Sequence, residues 1–202
     1  RHHQPPTSAA KDRAMTTKLL PGATGVLALA DGTILQGVGV GATGSALGEV
    51  VFNTAMTGYQ EIMTDPSYAA QVVTFTFPHI GNTGITPEDD EAPDPVAAGI
   101  VVKWDPTEPS NWRATSDLAE WMERRGRIGI GGVDTRRLTR AIRQQGAPHV
   151  ALAHRADGKF DTDALVANLD RHDDSEAARA QQVRDELIGA LTCHWVTAGS
   201  SG

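Results

Sequence analysis

Gly48-Glu49-Val50-Val51-Phe52-Asn53-Thr54-Ala55-Met56-Thr57-Gly58-Tyr59-Gln60-Glu61-Ile62-Met63-Thr64-Asp65-Pro66-Ser67-Tyr68 is followed by Ala69-Ala70-Gln71-Val72-Val73-Thr74-Phe75-Thr76-Phe77-Pro78-His79-Ile80-Gly81-Asn82-Thr83-Gly84. Residues 49–52 and 71–77 are rich in β-branched and aromatic side chains, which predicts two strands. The segment between them is dense in hydroxyls and amides and carries one Asp-Pro turn. Apolar strands that hold a polar connection in place build a rigid site, so residues 53–67 are the candidate site. The same pattern also describes a well-turned loop between two core strands.

The rest of the chain extends this picture in both directions. Residues 25–30 form a short apolar run that ends at Asp31-Gly32, a hairpin signal, and residues 34–40 make the return strand. Gly39-Val40-Gly41-Ala42-Thr43-Gly44 matches the dinucleotide fingerprint by letter. That fingerprint needs a helix to start at its third glycine, and Ser45-Ala46-Leu47-Gly48 leads into a strand instead, so a glycine-rich turn is expected. The acids Glu88, Asp89, Asp90 and Glu91 lie between prolines and read as a solvated loop.

Residues 98–102 read as a buried strand. Thr115-Ser116-Asp117 caps a helix through Arg125 that turns Leu118, Trp121 and Met122 inward and stops at Gly126. A short strand at 128–130 precedes a second helix, capped at Asp134-Thr135, with Leu138, Ala141 and Ile142 inward and Gly146 at its end. A strand at 150–153 and helices at 161–169 and 175–190 complete the pattern. Strand, helix, strand, helix, strand implies parallel pairing in the second half, while the first half reads as antiparallel. The expectation is a mixed α/β domain with two sheets over residues 21–170. Residues 1–20 read as a disordered leader, with Met15 a natural initiator, and residues 171–202 as a divergent tail.

The 202 residues suit one ordinary domain with tails, and a hydrophobic fraction of 40% is enough for a core. A net charge of −7 argues against a nucleic-acid binder, which needs a basic face. Arg124, Arg125, Arg127, Arg136, Arg137, Arg140 and Arg143 cluster, but with acids nearby, so they read as a solvated or partner-facing helix surface. The single cysteine, Cys193, excludes an intrachain disulfide and fits a reducing, cytoplasmic setting. No apolar run reaches the length of a membrane span, and no signal peptide is visible. His79, His149, His154, His172 and His194 have no metal-ligand spacing, and His79 is expected to pack or to bond to backbone. Cys193 stands beside His194, but adjacent side chains diverge, so they form no dyad. No nucleophile elbow is present, and no metal or cofactor site is expected.

Several ordered blocks resemble one family. They are Leu27-Ala28-Leu29-Ala30-Asp31-Gly32-Thr33, Gly41-Ala42-Thr43-Gly44, residues 48–68, Pro78-His79-Ile80-Gly81-Asn82, Ser110-Asn111-Trp112-Arg113 and Val133-Asp134-Thr135-Arg136-Arg137-Leu138-Thr139-Arg140. Over residues 25–170 the chain resembles the N-terminal domain of the small subunit of glutamine-hydrolysing carbamoyl phosphate synthetase. The resemblance implies an α/β fold of layered β/β/α (swivelling) type, with one mostly parallel and one antiparallel sheet. It implies a cytoplasmic heterodimer in which the small subunit hydrolyses glutamine and passes ammonia through a tunnel to a large subunit. That partner uses ATP, with magnesium, and bicarbonate to make carbamoyl phosphate for arginine and pyrimidine synthesis.

The family's catalytic cysteine lies in a following amidotransferase domain, in a Gly-x-Cys-x-Gly elbow. Cys193 lacks those glycines and does not carry over, so this chain alone is expected to be inactive. Ser67, in the family's Asp-Pro-Ser-Tyr motif, is the residue that the resemblance assigns to glutamine binding, jointly with that following domain. The competing physical reading of Ser67 is a hydroxyl that satisfies the Asp-Pro turn locally. A non-catalytic binding or scaffold module is the alternative function, and a nucleotide site at residues 39–44 a third. Trp104, Trp112, Arg113 and Trp121 are expected to anchor a partner.

Overall fold

The computed structural model describes residues 19–170, so most of the expected leader, the tail, the helix at 175–190, His172, Cys193 and His194 lie outside the described residues. In chain order the elements are β1 (Gly25–Leu29), β2 (Ile34–Gly41), β3 (Gly44–Asn53), α1 (Tyr59–Thr64), β4 (Gln71–Phe75), β5 (Gly99–Val101), α2 (Leu118–Arg124), β6 (Ile128–Gly131), α3 (Thr135–Gln145), β7 (His149–His154) and α4 (Thr162–Asp170). The fold is α/β, as expected. No helix among the described residues is long and apolar enough to cross a membrane.

The expected pair of sheets is replaced by one closed barrel with strand order β1-β2-β6-β5-β4-β3-β7. The two longest strands explain the closure, because each changes partner midway. Ile34–Gly37 of β2 pairs with β1, and Val38–Gly41 pairs with β6. In β3, Gly44–Glu49 pairs with β7 and Glu49–Asn53 with β4. A strand that serves two neighbours turns a corner and carries the sheet around it. The parallel arc β3-β4-β5-β6 and the antiparallel strands therefore share β2 and β3 as corners. Two expected directions are corrected. β3 and β4 are parallel, with α1 in the crossover, and β7 runs antiparallel to both β1 and β3. The chain leaves β6 through α3 and returns between the antiparallel strands, so the alternation of elements misleads at β7.

Alternation along the strands divides the core. Leu27, Leu29, Val50, Val72, Val101, Ile130, Val150 and Leu152 come from six strands and meet in one buried cluster, which fills the barrel. Leu138 and Ile142 of α3 belong to the same cluster, so α3 plugs the barrel. On the outer face, Val73, Phe75 and Ile100 pack with Tyr59 and Met63 of α1 and with Leu118, Trp121 and Met122 of α2. Ala28, Ala151 and Leu169 form a smaller cluster beneath α4. Strands β1 and β4 are covered on both faces, so all five residues of each are buried. The helix starts follow the expected chemistry. Asp117 accepts a hydrogen bond from the Glu120 amide (2.7 Å), Asp134 from the Arg137 amide (3.0 Å) and Asp161 from the Ala164 amide (2.9 Å). Trp121 is only 4% exposed within the core, so it is corrected from partner anchor to packing residue.

Candidate functional site

The polar connection between β3 and β4 is an ordered crossover. At its start Asn53 folds back, its Oδ1 accepting from the Ala55 amide (2.7 Å) and its Nδ2 donating to the Tyr68 hydroxyl (2.9 Å). This cross-link ties the entry of the crossover to its exit. After α1, the Asp65 carboxylate accepts from the Ser67 amide (2.8 Å) and starts a 3₁₀ turn over Pro66–Tyr68. Proline presets the backbone angle there and Asp supplies the acceptor. Ser67 is exposed on this turn. Its amide satisfies the turn, while its hydroxyl bonds to no described residue, so the local-hydroxyl reading of Ser67 is corrected. The exit is packed tightly. A Cβ on Gly48 would sit 2.3 Å from the Ala70 carbonyl oxygen, and Ala70 itself holds φ 58. A glycine is required at 48 because backbone occupies the space.

Buried polar groups of α1 lock the loop that follows β4. Gln60 Nε2 donates to the Thr86 carbonyl (2.6 Å) and to Asp90 (2.7 Å), and its Oε1 accepts from the Thr86 amide (3.0 Å). Tyr59 donates to the Gly84 carbonyl (3.2 Å) and accepts from Thr83 Oγ1 (2.8 Å). Thr64 Oγ1 donates to the Gln60 carbonyl (2.9 Å) and accepts from the Glu91 amide (2.9 Å). The acidic run is therefore only partly the solvated loop expected. Asp90 is held by Gln60 and lies 3.5 Å from Arg125, Asp94 meets Arg125 at 2.8 Å, and Glu88 pairs with Arg113 at 3.6 Å. Burial, then the charges of Asp89, Glu91 and Asp90, push the Glu61 carboxyl above its ordinary range. Burial likewise raises the Tyr59 hydroxyl.

The remaining candidates disperse. Residues 39–44 make the turn from β2 into β3, with the Ala42 amide bonded to the Arg127 carbonyl (2.9 Å) and no helix N-terminus facing it. His154 Nδ1 lies 2.9 Å from the Ala42 carbonyl, and a Cβ on Gly39 would fall 1.9 Å from the His154 ring. The glycines of this motif serve close packing. His79 is exposed, edge-on to Phe77 at 6.4 Å. Trp112 and Trp104 are exposed, at 91% and 52%. No group of three or more His, Cys, Asp or Glu among the described residues could hold a metal ion.

The arginine cluster splits into two. Arg124 pairs with Glu120 and Arg125 with Asp90 and Asp94, while Arg127 donates to the Pro95 carbonyl. Arg136, Arg140 and Arg143 on α3 have no acid paired with them among the described residues, contrary to the expectation of neighbouring acids. With Lys103 they border a depression of about 520 Å³ that also takes in Thr54, Thr76, Asp134, Thr135 and Thr139. The sequence contained the signal in the i, i+4, i+7 spacing of Arg136, Arg140 and Arg143.

Comparison with known proteins supplies the family. Residues 27–152 match the family described as carbamoyl-phosphate synthase small chain, CPSase domain. The chain is 74% identical over 144 residues to the carbamoyl phosphate synthase small chain of Ruegeria pomeroyi, covering 71% of this chain and 37% of that one. The corresponding protein of Caulobacter vibrioides is 60% identical over 157 residues, covering 76% and 40%. That of Mesorhizobium japonicum is 56% identical over 146 residues, covering 70% and 37%. The chain thus spans roughly two fifths of the length of the relatives it matches. The blocks quoted from the sequence, the match across the whole barrel and these identities agree, and the chain belongs to the carbamoyl-phosphate synthase small chain family.

Proposed function

We propose that this domain is the N-terminal, large-subunit-facing domain of the glutamine side of a carbamoyl phosphate synthetase, a cytoplasmic ligase subunit. It supports delivery of ammonia from glutamine to the large subunit, where ATP and magnesium act. Ser67 is proposed to contribute to glutamine binding, together with an amidotransferase region of the kind that follows this domain in the family. Support comes above all from the family match over residues 27–152. The geometry of Ser67 is compatible with the role. Its backbone is fixed by Asp65, and its hydroxyl faces outward with no described partner, free for a ligand bound across a domain boundary. The described residues offer no nucleophile with a neighbouring base, so the 202 residues by themselves are proposed not to hydrolyse glutamine.

Sedimentation of the 202-residue chain with a purified carbamoyl phosphate synthetase large subunit tests the reading. Co-sedimentation at micromolar concentration is expected. Exposed Trp112 and Trp104 suit an interface anchor, and binding driven by apolar burial should survive moderate salt. A chain that sediments independently of the large subunit would overturn the partner assignment. Glutamate release above a buffer blank, abolished by Cys193→Ala, would overturn the claim of inactivity.

A further inference from the structure

The depression bordered by Lys103, Arg136, Arg140 and Arg143 lies where the parallel strands end. Thr54 and Thr76 directly follow β3 and β4, Lys103 comes just after β5, and Asp134 follows β6 at the start of α3. Crevices outside the carboxyl ends of parallel strands are the usual ligand positions in α/β sheets. A volume of about 520 Å³ falls in the range of small-ligand sites.

Its four cations outnumber the one acid in the lining, Asp134, and form no ion pair among the described residues. Salt bridges among the described residues occupy Arg113, Arg124, Arg125 and Arg155, and none of the four cations of the depression. Lys103 lies over the Trp104 ring at 5.5 Å and Arg143 over the Phe52 ring at 5.1 Å, contacts that hold two cations in place without neutralising them. The single acid in the lining, Asp134, is committed to capping the Arg137 amide at 3.0 Å. Arg136 and Arg140 stand four apart on one helix face, where like charges destabilise a helix. In a chain of net charge −7, three arginines on one stripe beside a lysine carry a cost that folding does not require. The hydroxyls of Thr54, Thr76, Thr135 and Thr139 share the lining, although Thr139 Oγ1 is engaged with the Thr135 carbonyl (2.7 Å). One step deeper on the face of Thr76, Thr74 is fully buried and its Oγ1 has no partner.

We infer that this depression is a binding site for a small phosphate-bearing anion, held by the guanidinium groups of Arg136, Arg140 and Arg143 and by the Lys103 ammonium. Guanidinium forks match phosphate oxygens two at a time, and the ammonium adds a point charge. A concave site fed by four strand ends and one helix suits a compact ligand better than a flat acidic protein surface. The inference stands apart from the glutamine role of Ser67, which does not line the depression.

Inorganic phosphate and pyrophosphate are the probes, titrated by calorimetry and thermal shift against the full 202-residue chain, with sodium chloride at matched ionic strength as reference. Saturable binding is expected, with a rise in melting temperature beyond the chloride control. Arg136→Gln with Arg140→Gln should weaken it by about tenfold or more, the order expected for a lost charge-assisted hydrogen bond. Both side chains are exposed and unpaired, so the variant should melt like the parent when no ligand is present. A response no larger than that to chloride, or equal affinity in parent and variant, would overturn the inference. So would loss of large-subunit binding in the variant when the parent binds no phosphate, because the stripe would then be a protein-docking surface.

Discussion

Gln60→Leu tests whether the polar crossover is held from within. Gln60 is 2% exposed, and its amide makes three hydrogen bonds, two of them to the Thr86 backbone and one to Asp90. Leucine fills nearly the same volume, so the substitution removes the bonds without opening a large cavity. It leaves the buried Thr86 amide unpaired, at about 1–3 kcal/mol, while the Thr86 carbonyl keeps the Asp89 amide at 3.3 Å. Thr86 has little capacity to adapt, since its Oγ1 is already buried without a partner. Asp90 keeps Arg125 at 3.5 Å and is not stranded. Burying an apolar side chain returns part of the loss, so the net expectation is about 1–2 kcal/mol. For a domain of this size that is a fall of roughly 2–8 °C in melting temperature. Urea unfolding followed by tryptophan fluorescence, with melting by circular dichroism, reads both quantities. Gln60→Glu is the companion variant. It places a second carboxylate against Asp90, so it should be worse than leucine at neutral pH and recover on acidification. A loss below about 0.5 kcal/mol for Gln60→Leu, the scatter of ordinary surface substitutions, would refute the claim that these bonds hold the loop.

Ser67→Ala should change stability by less than about 1 kcal/mol, because the hydroxyl has no described partner. In a complete synthetase it should raise the KM for glutamine and leave ammonia-dependent synthesis unchanged, and unaltered glutamine kinetics would remove the binding role. Gly39→Ala should destabilise by about 1–3 kcal/mol, since its Cβ would fall 1.9 Å from the His154 ring. Millimolar ATP should not stabilise the parent chain, and a saturable ATP shift lost in Gly39→Ala would revive the nucleotide reading of residues 39–44. Glu61 is raised from its ordinary 4.5, so the fold favours its protonated form and ionisation costs stability as pH rises through the raised value. Glu61→Gln should therefore raise the melting temperature at pH 7 and make no difference below about pH 4, and a gain that persists at low pH would contradict this sign.

Local chemistry was legible wherever a residue acts on its own neighbours. Asp31-Gly32 marks the β1–β2 hairpin, where the Thr33 amide bonds to Asp31 at 2.8 Å. Asp117 and Asp134 mark the starts of α2 and α3, and the inward set Leu118, Trp121 and Met122 follows from spacing alone. Closure of the barrel was not legible, because it depends on β2 and β3 each exchanging one partner for another partway along. Residue types inside a strand do not record which neighbour lies on either edge. The direction of β7 was hidden for the same reason, since α3 fits a parallel crossover and a barrel plug equally well in sequence.

The candidate site shows where residue type stops being informative. Asp65-Pro66-Ser67 predicts a turn, and a turn is present, but the composition cannot say whether the serine spends its hydroxyl or its amide on that turn. The answer depends on the Asp65 side chain, which takes the Ser67 amide and thereby leaves the hydroxyl outward. The arginines pose the same problem across a greater distance. In sequence, Arg124, Arg125 and Arg127 look like Arg136, Arg140 and Arg143, and acids lie near both groups. Folding brings Asp90 and Asp94 to Arg125 from more than thirty residues away and pairs no acid with the α3 stripe among the described residues. The α3 group keeps its guanidinium charges unpaired at the strand ends, and that difference arises from which strand ends the topology gathers beneath α3.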